Sequence, residues 1–184
     1  MVIYTKRGDK GETSMYDQAS AQRVRVSKDS LKVETLGTID ELNSFLGVTI
    51  SFSNIPEITL YLKEVQRNLL TIGSITAGSK LRFSASETKK LEKTIDKLEG
   101  ELPVLANFIL PGGTAFSSHL HYSRALCRRT ERRMVTLSKI QREKVKPQIL
   151  AYLNRLSDYL FMLARKVIYD ANLKEEVWVG KKTE

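Results

Sequence analysis

The chain has 184 residues, 41% of them hydrophobic and 28% charged, which excludes a disordered polymer and leaves room for one domain with a substantial core. Ten glycines and four prolines are too few for a collagenous, low-complexity or many-turned β architecture. The single cysteine, Cys127, excludes an internal disulfide and fits a reducing compartment. No stretch approaches the roughly 18 apolar residues of a membrane span, and MVIYTKRGDK has no apolar leader. The expectation is a soluble cytoplasmic protein with one domain over residues 1–184.

Residues 1–34 lack helical periodicity and read as an irregular N-terminal arm with at most a short strand. From residue 35 to about 172 the pattern is helical. In GTIDELNSFLGVTI, Ile39, Leu42 and Leu46 recur at helical spacing, and Thr38 with Glu41 suggests a capping box that opens the first helix. A second helix starts at Pro56 and stops at Gly78, through Leu62, Val65, Leu69 and Ile72. A third, charged helix opens at a Ser84/Glu87 capping box and ends at Gly100. LPVLANFILPGG, residues 102–113, is an apolar connector between breakers. Phe116, Leu120, Cys127, Thr130, Met134 and Leu137 mark a long fourth helix, and Leu150, Leu153, Leu160, Ala164 and Val167 mark a fifth beyond Pro147. Short connections make neighbours antiparallel. The expected fold is all-α, a five-helix up-and-down bundle.

Charge is unevenly spread. Of the formal net charge of +9, residues 114–144 contribute +6, so an anionic partner is expected there. Arg124, Arg128 and Arg132 lie four apart on one helix face, bordering the apolar seam through Cys127, and read as a half-buried row. A solvated basic face and internal ion pairs with acids such as Asp40 and Glu131 are the alternatives to an anion clamp. The clamp would use the bidentate match between guanidinium and phosphate.

A second candidate is TKRGDKGETS, Thr5 to Ser14. Gly8 and Gly11 allow close backbone approach, Lys6, Arg7 and Lys10 bring charge, Thr5, Thr13 and Ser14 bring hydroxyls, and Asp9 could hold a Mg²⁺ water. It lacks the Walker A pattern, and a polar surface loop is the plain alternative. Asn154, on the face of Leu150 and Leu153, needs a hydrogen-bond partner, and Asp158 suits a cap or ion pair. His119 and His121, two apart, occupy different helix faces and cannot chelate one metal. No metal-ligand set is expected, and Cys127 faces the core.

In this order and spacing, IYTKRGDKGETS, LGTIDELNSFLG, FILPGGT, RALCRRTERR and YLNRLSDYLFMLAR resemble the PduO-type ATP:cob(I)alamin adenosyltransferases, whose bundles are ferritin-like. The resemblance spans about residues 2–170. It implies a homotrimer with sites between subunits, and transfer of the 5′-deoxyadenosyl group of ATP to the cobalt of cob(I)alamin with release of triphosphate. ATP contacts would fall on Thr5, Lys6, Arg7, Gly8, Thr13, Ser14, Lys28, Arg128, Arg129, Glu131, Arg132 and Asn154, with Mg²⁺ accompanying the nucleotide. Arg124 would pair with Asp40 across the subunit interface. Phe108 would occupy the lower axial side of the corrin, making cob(II)alamin easier to reduce. A reductase and an enzyme that accepts the product are further expected partners.

Two other classes stay open on the residues alone. A helical nucleic-acid-binding module would use the same basic segment, although no nucleic-acid motif is present. A trimeric nucleotide sensor without turnover would need the ATP residues but not Phe108.

Overall fold

The computed structural model describes residues 3–17, 20–140 and 145–180. Arg142, Glu143 and Lys144 of the basic segment lie outside the described residues, as do residues 1–2 and 181–184.

Two strands and five helices follow in chain order: β1 Glu12–Asp17, β2 Gln22–Ser27, α1 Leu31–Ser51, α2 Pro56–Thr76, α3 Ser86–Glu101, α4 Ala115–Ser138 and α5 Pro147–Asp170. Cross-helix contacts fix their directions. Thr130 Oγ1 donates to the Thr38 carbonyl at 2.9 Å and the Thr49 and Ser123 hydroxyls meet at 2.9 Å, so α4 runs antiparallel to α1. Cys127 Sγ donates to the Leu153 carbonyl and Ser117 Oγ to the Ala164 carbonyl, so α5 runs back along α4. Ion pairs Glu64–Lys90 and Arg155–Glu92 tie α3 between α2 and α5. The result is the expected up-and-down bundle.

The core is the set of apolar positions that recur at helical spacing. Leu42, Leu46, Leu62, Leu69, Ile72, Leu120, Cys127, Met134, Leu153 and Leu160 are all fully buried. Each buried leucine contributes about 1.5–3 kcal/mol relative to exposure. Burial also raises the pKa of the Cys127 thiol far above its ordinary value, so Cys127 is a packing residue and no nucleophile.

Three expectations require correction. The arm is not irregular throughout: β1 and β2 form an antiparallel hairpin in which Glu12 faces Ser27 and Ser14 faces Arg25. Its strands are mostly exposed, and the one alternating stretch, Val24 and Val26 after Arg23 and Arg25 in turn, is a strand signal that the reading of the arm as irregular passed over. The first helix starts at Leu31, and Thr38 is a buried mid-helix residue whose hydroxyl donates to the Thr35 carbonyl at 2.8 Å. Thr38 and Glu41 therefore cap nothing. At α3 the Ser84 hydroxyl accepts from the Ser86 N–H at 3.2 Å, but the Glu87 carboxylate turns to Asn68 and Lys90, so the reciprocal half of that capping box is absent.

Direction decides what the ends of the bundle carry. The hairpin enters α1 and sits against the C-terminal end of α2, where Gly78 adopts φ +107° and a side chain would run into the Tyr16 carbonyl. The connector 102–113 and the chain after α5 lie at the other end. There Gly113, at φ +94°, lets the chain pass within van der Waals reach of Ile168, and the Thr114 hydroxyl caps α4 by accepting from the Ser117 N–H.

Candidate functional site

At the hairpin end, the loop from Thr5 to Gly11 is folded into a tight, held turn. Lys6 takes φ +58° and Gly11 φ +79°, both in the left-handed region that lets successive N–H groups converge on an anion. The Lys28 ammonium donates to the Gly8 carbonyl at 3.0 Å, and the Lys28 N–H donates to the Gly11 carbonyl at 2.8 Å. Gly8 makes this approach close: a Cβ there would stand 3.3 Å from Lys28 Nζ, a tight contact that the lysine end would have to ease by a few tenths of an ångström.

Arg25 completes the turn. It donates to the Arg7 carbonyl at 2.6 Å and to the Ser14 hydroxyl at 3.1 Å, with Glu12 3.4 Å away. Arg25 was not among the residues expected from sequence. Its signal was the cross-strand register with Ser14, which becomes readable only once the hairpin is paired. Beside Thr13 and Ser14 a cleft of 810 Å³ opens, walled by Arg23, Val33, Leu36 and Gly78.

The arginine row of α4 is less buried than expected. Arg124 is half-buried, whereas Arg128 and Arg132 are exposed, because the row lies on the flank of α4 rather than in its seam with α1 and α5. The Arg124 Nε is buried with no hydrogen-bond partner. Burial, and then the neighbouring charge of Arg128, lower the pKa of Arg124 from its ordinary value. Beside the row, Arg129 pairs with Glu41, and Arg133 approaches Glu34 at 3.6 Å; these acids pair with the neighbouring arginines and not with Arg124, Arg128 or Arg132. Asp40 is exposed, and among the described residues no ion pair joins it to Arg124. Asn154 is exposed and donates to the Glu131 carboxylate at 2.9 Å, which brings two expected residues from α4 and α5 into contact. Asp158 takes the ion-pair role, with Arg155 at 2.7 Å.

The other end of the bundle is apolar. Phe108 is 80% exposed and Val104 93% exposed, large apolar side chains that the rest of the chain leaves uncovered. Phe108 and its neighbours Leu105 to Asn107 face Trp178 to Gly180 across a cavity of 530 Å³. His119 stacks on Phe52 at 4.3 Å between ring centroids, and His121 is buried edge-on to Phe161. They occupy different faces of α4. Among the described residues no three His, Cys, Asp or Glu side chains gather as a metal site.

The described helices include none long and apolar enough to cross a membrane. The family model for cobalamin adenosyltransferase matches residues 3–167. The chain belongs to the cobalamin adenosyltransferase family. Among its relatives, the corrinoid adenosyltransferase of Bacillus subtilis strain 168 is 42% identical over 175 residues, covering 91% of this chain and 86% of that protein. Human corrinoid adenosyltransferase MMAB is 37% identical over 189 residues, covering 96% and 73%. A phenylalanine-to-alanine variant of the PduO-type ATP:corrinoid adenosyltransferase from Lactobacillus reuteri, solved with cobalamin and ATP, shares the adenosyltransferase fold. Its TM-score is 0.89 at 34% identity, covering 97% of this chain and 100% of that one.

Proposed function

We propose that the held turn at Thr5–Gly11 and the arginine row of α4 grip the triphosphate of ATP, while the Phe108 connector receives the corrin. The chain is a corrinoid adenosyltransferase, and the reaction moves the 5′-deoxyadenosyl group of ATP to the cobalt of cob(I)alamin. The C5′–O bond breaks, and triphosphate departs with the bonding electron pair. The single observation that carries the site reading is Arg124: a half-buried arginine whose Nε is buried and unpartnered, next to two exposed arginines on the same face.

Each part follows from charge. ATP brings roughly four negative charges, and the leaving group gathers more as the bond breaks, so donors aimed at the phosphates act most strongly in the transition state. Lys6, Arg7, Lys28, Arg128 and Arg132 supply cations, and the N–H groups around Gly8 supply fixed dipoles. Thr5, Thr13 and Ser14 offer hydroxyls. Glu131, Arg129 and Asn154 form a polar floor, with the first two already engaged by Asn154 and Glu41. Mg²⁺ arrives on the phosphates.

Geometry also supports assembly. Arg132 lies 17 residues into α4 from Ala115, about 25 Å along the axis, and the arm stands at that far end. Phe108 stands at the near end. One chain therefore separates the two halves of the chemistry, and a neighbouring copy would bring them together. A homotrimer with sites between subunits, in which Arg124 meets Asp40 of the next copy, meets that need. The compartment we propose is the cytoplasm, with a separate reductase supplying the electron and an acceptor enzyme taking the product.

Following the corrinoid absorbance after mixing the protein with ATP and chemically reduced cobalamin tests the activity. Replacing Arg128 by alanine should lower kcat/KM by about 10- to 150-fold, the loss of a charge-assisted hydrogen bond of about 1.5–3 kcal/mol. Full activity in Arg128→Ala would remove the clamp. Phe108→Ala should lose more activity starting from cob(II)alamin than from pre-formed cob(I)alamin; equal losses would count against its axial role.

A further inference from the structure

Beyond α5 the chain reverses and runs back over the connector. Asn172 takes φ +54°, and the Leu173 N–H donates to the Ile168 carbonyl. The Leu110 N–H then donates to the Glu176 carbonyl and the Trp178 N–H to the Phe108 carbonyl, both at 2.8 Å, around an antiparallel bridge between Ile109 and Val177. Phe108 thus owes its backbone position to a strand-like contact from the tail.

One buried ion pair fastens that contact. Arg165, on α5, is 4% exposed, although it sits in the apolar run LFMLARKV. Its guanidinium takes both carboxylate oxygens of Glu175, at 2.7 and 3.1 Å, and donates a further hydrogen bond to the Pro103 carbonyl at 2.8 Å. The same group therefore grips the first residues of the connector and the first residues of the tail. A fork that binds two segments at once fixes their relative position, as a lysine's point charge would not. Breaking such a pair frees the tail and leaves the connector without its hydrogen-bonding partner strand.

We propose that Arg165 and Glu175 are positioning residues for the cobalt half of the reaction: their ion pair clamps the tail to the connector and sets where Phe108 stands. This rests on the reading of Phe108 as the corrin-facing aromatic. The pair touches neither the nucleotide arm nor the arginine row, so its effect falls on cobalamin and not on ATP.

The test uses the intact chain and its one tryptophan, Trp178, which lies on the clamped tail. Glu175→Ala should make Trp178 fluorescence more open to acrylamide quenching in the absence of substrates. It should raise KM for cobalamin by about tenfold while leaving KM for ATP near wild type. Glu175→Gln, which keeps an acceptor for the Arg165 fork, should fall between the two. Should Glu175→Ala compromise folding, Glu175→Gln with the same two readouts decides. Unchanged quenching, or equal rises in both KM values, would overturn the clamp. A wild-type chain with no adenosyl transfer would instead defeat the functional reading, and the quenching comparison would still confirm or overturn the clamp by itself.

Discussion

His121 carries no hydrogen bond on either ring nitrogen, although it is 3% exposed. Burial and the nearby Arg124 charge lower its pKa below the ordinary 6.5, with Glu175 opposing weakly. In the unfolded chain it takes up a proton near 6.5; in the folded chain it stays neutral to lower pH. Between those two values the unfolded state binds more protons, so stability is fully present above about 6.5 and is lost as pH falls. The expected slope for this residue is up to about 1.4 kcal/mol per pH unit. Denaturant midpoints of wild type and His121→Leu between pH 7 and 5 should therefore differ in slope, with the variant flatter. Parallel curves would show that His121 takes its proton without penalty. The neighbouring Arg124 has no such escape, since a guanidinium keeps its charge, and its buried Nε has no partner within the chain.

At the scale of elements, the hairpin depends on its seat against α2. Gly78→Ala combines an unfavourable φ with a collision against the Tyr16 backbone, so the hairpin must lift. Thermal unfolding should show a loss of about 1–3 kcal/mol, and KM for ATP should rise while KM for cobalamin holds. The five helices were legible because buried leucines recur at helical spacing and because Pro56 and Pro147 mark first turns. Exposure blurred the hairpin: Gln22–Ser27 is a strand with one half-buried residue. Gly37 made Thr38 look like a beginning, when tertiary packing carries α1 through it. The arm and α4 candidates were visible as residue types, but their partners, Arg25, Glu41 and Glu34, come from other elements and follow only from pairing. Arg165 had a readable signal, a charge inside an apolar run, which asks for a buried partner; nothing nearby in sequence says that the partner is Glu175.

At the scale of the whole molecule, the separation of the arm from Phe108 makes a prediction about mixtures. On the proposed site, Lys6→Ala should disable the nucleotide end and Phe108→Ala the corrin end. If sites draw on two copies, co-expressing both variants should restore activity from cob(II)alamin, with about one site in four receiving two intact halves under random assembly. No recovery above the separate variants would place both halves within one chain. If the proposed trimer forms, Arg124→Met should leave the helical content of each chain unchanged but shift the assembly toward smaller species by light scattering, since it would remove the charge proposed to meet Asp40 of the next copy.

The bundle's length has a kinetic consequence. If the arm and Phe108 are the two reactive ends, the roughly 25 Å of α4 between Ala115 and Arg132 keeps them apart in one chain, with no hinge in the bundle to close the gap. Turnover per polypeptide would then collapse on dilution below the association threshold and return on concentration, so that abundance would itself govern output.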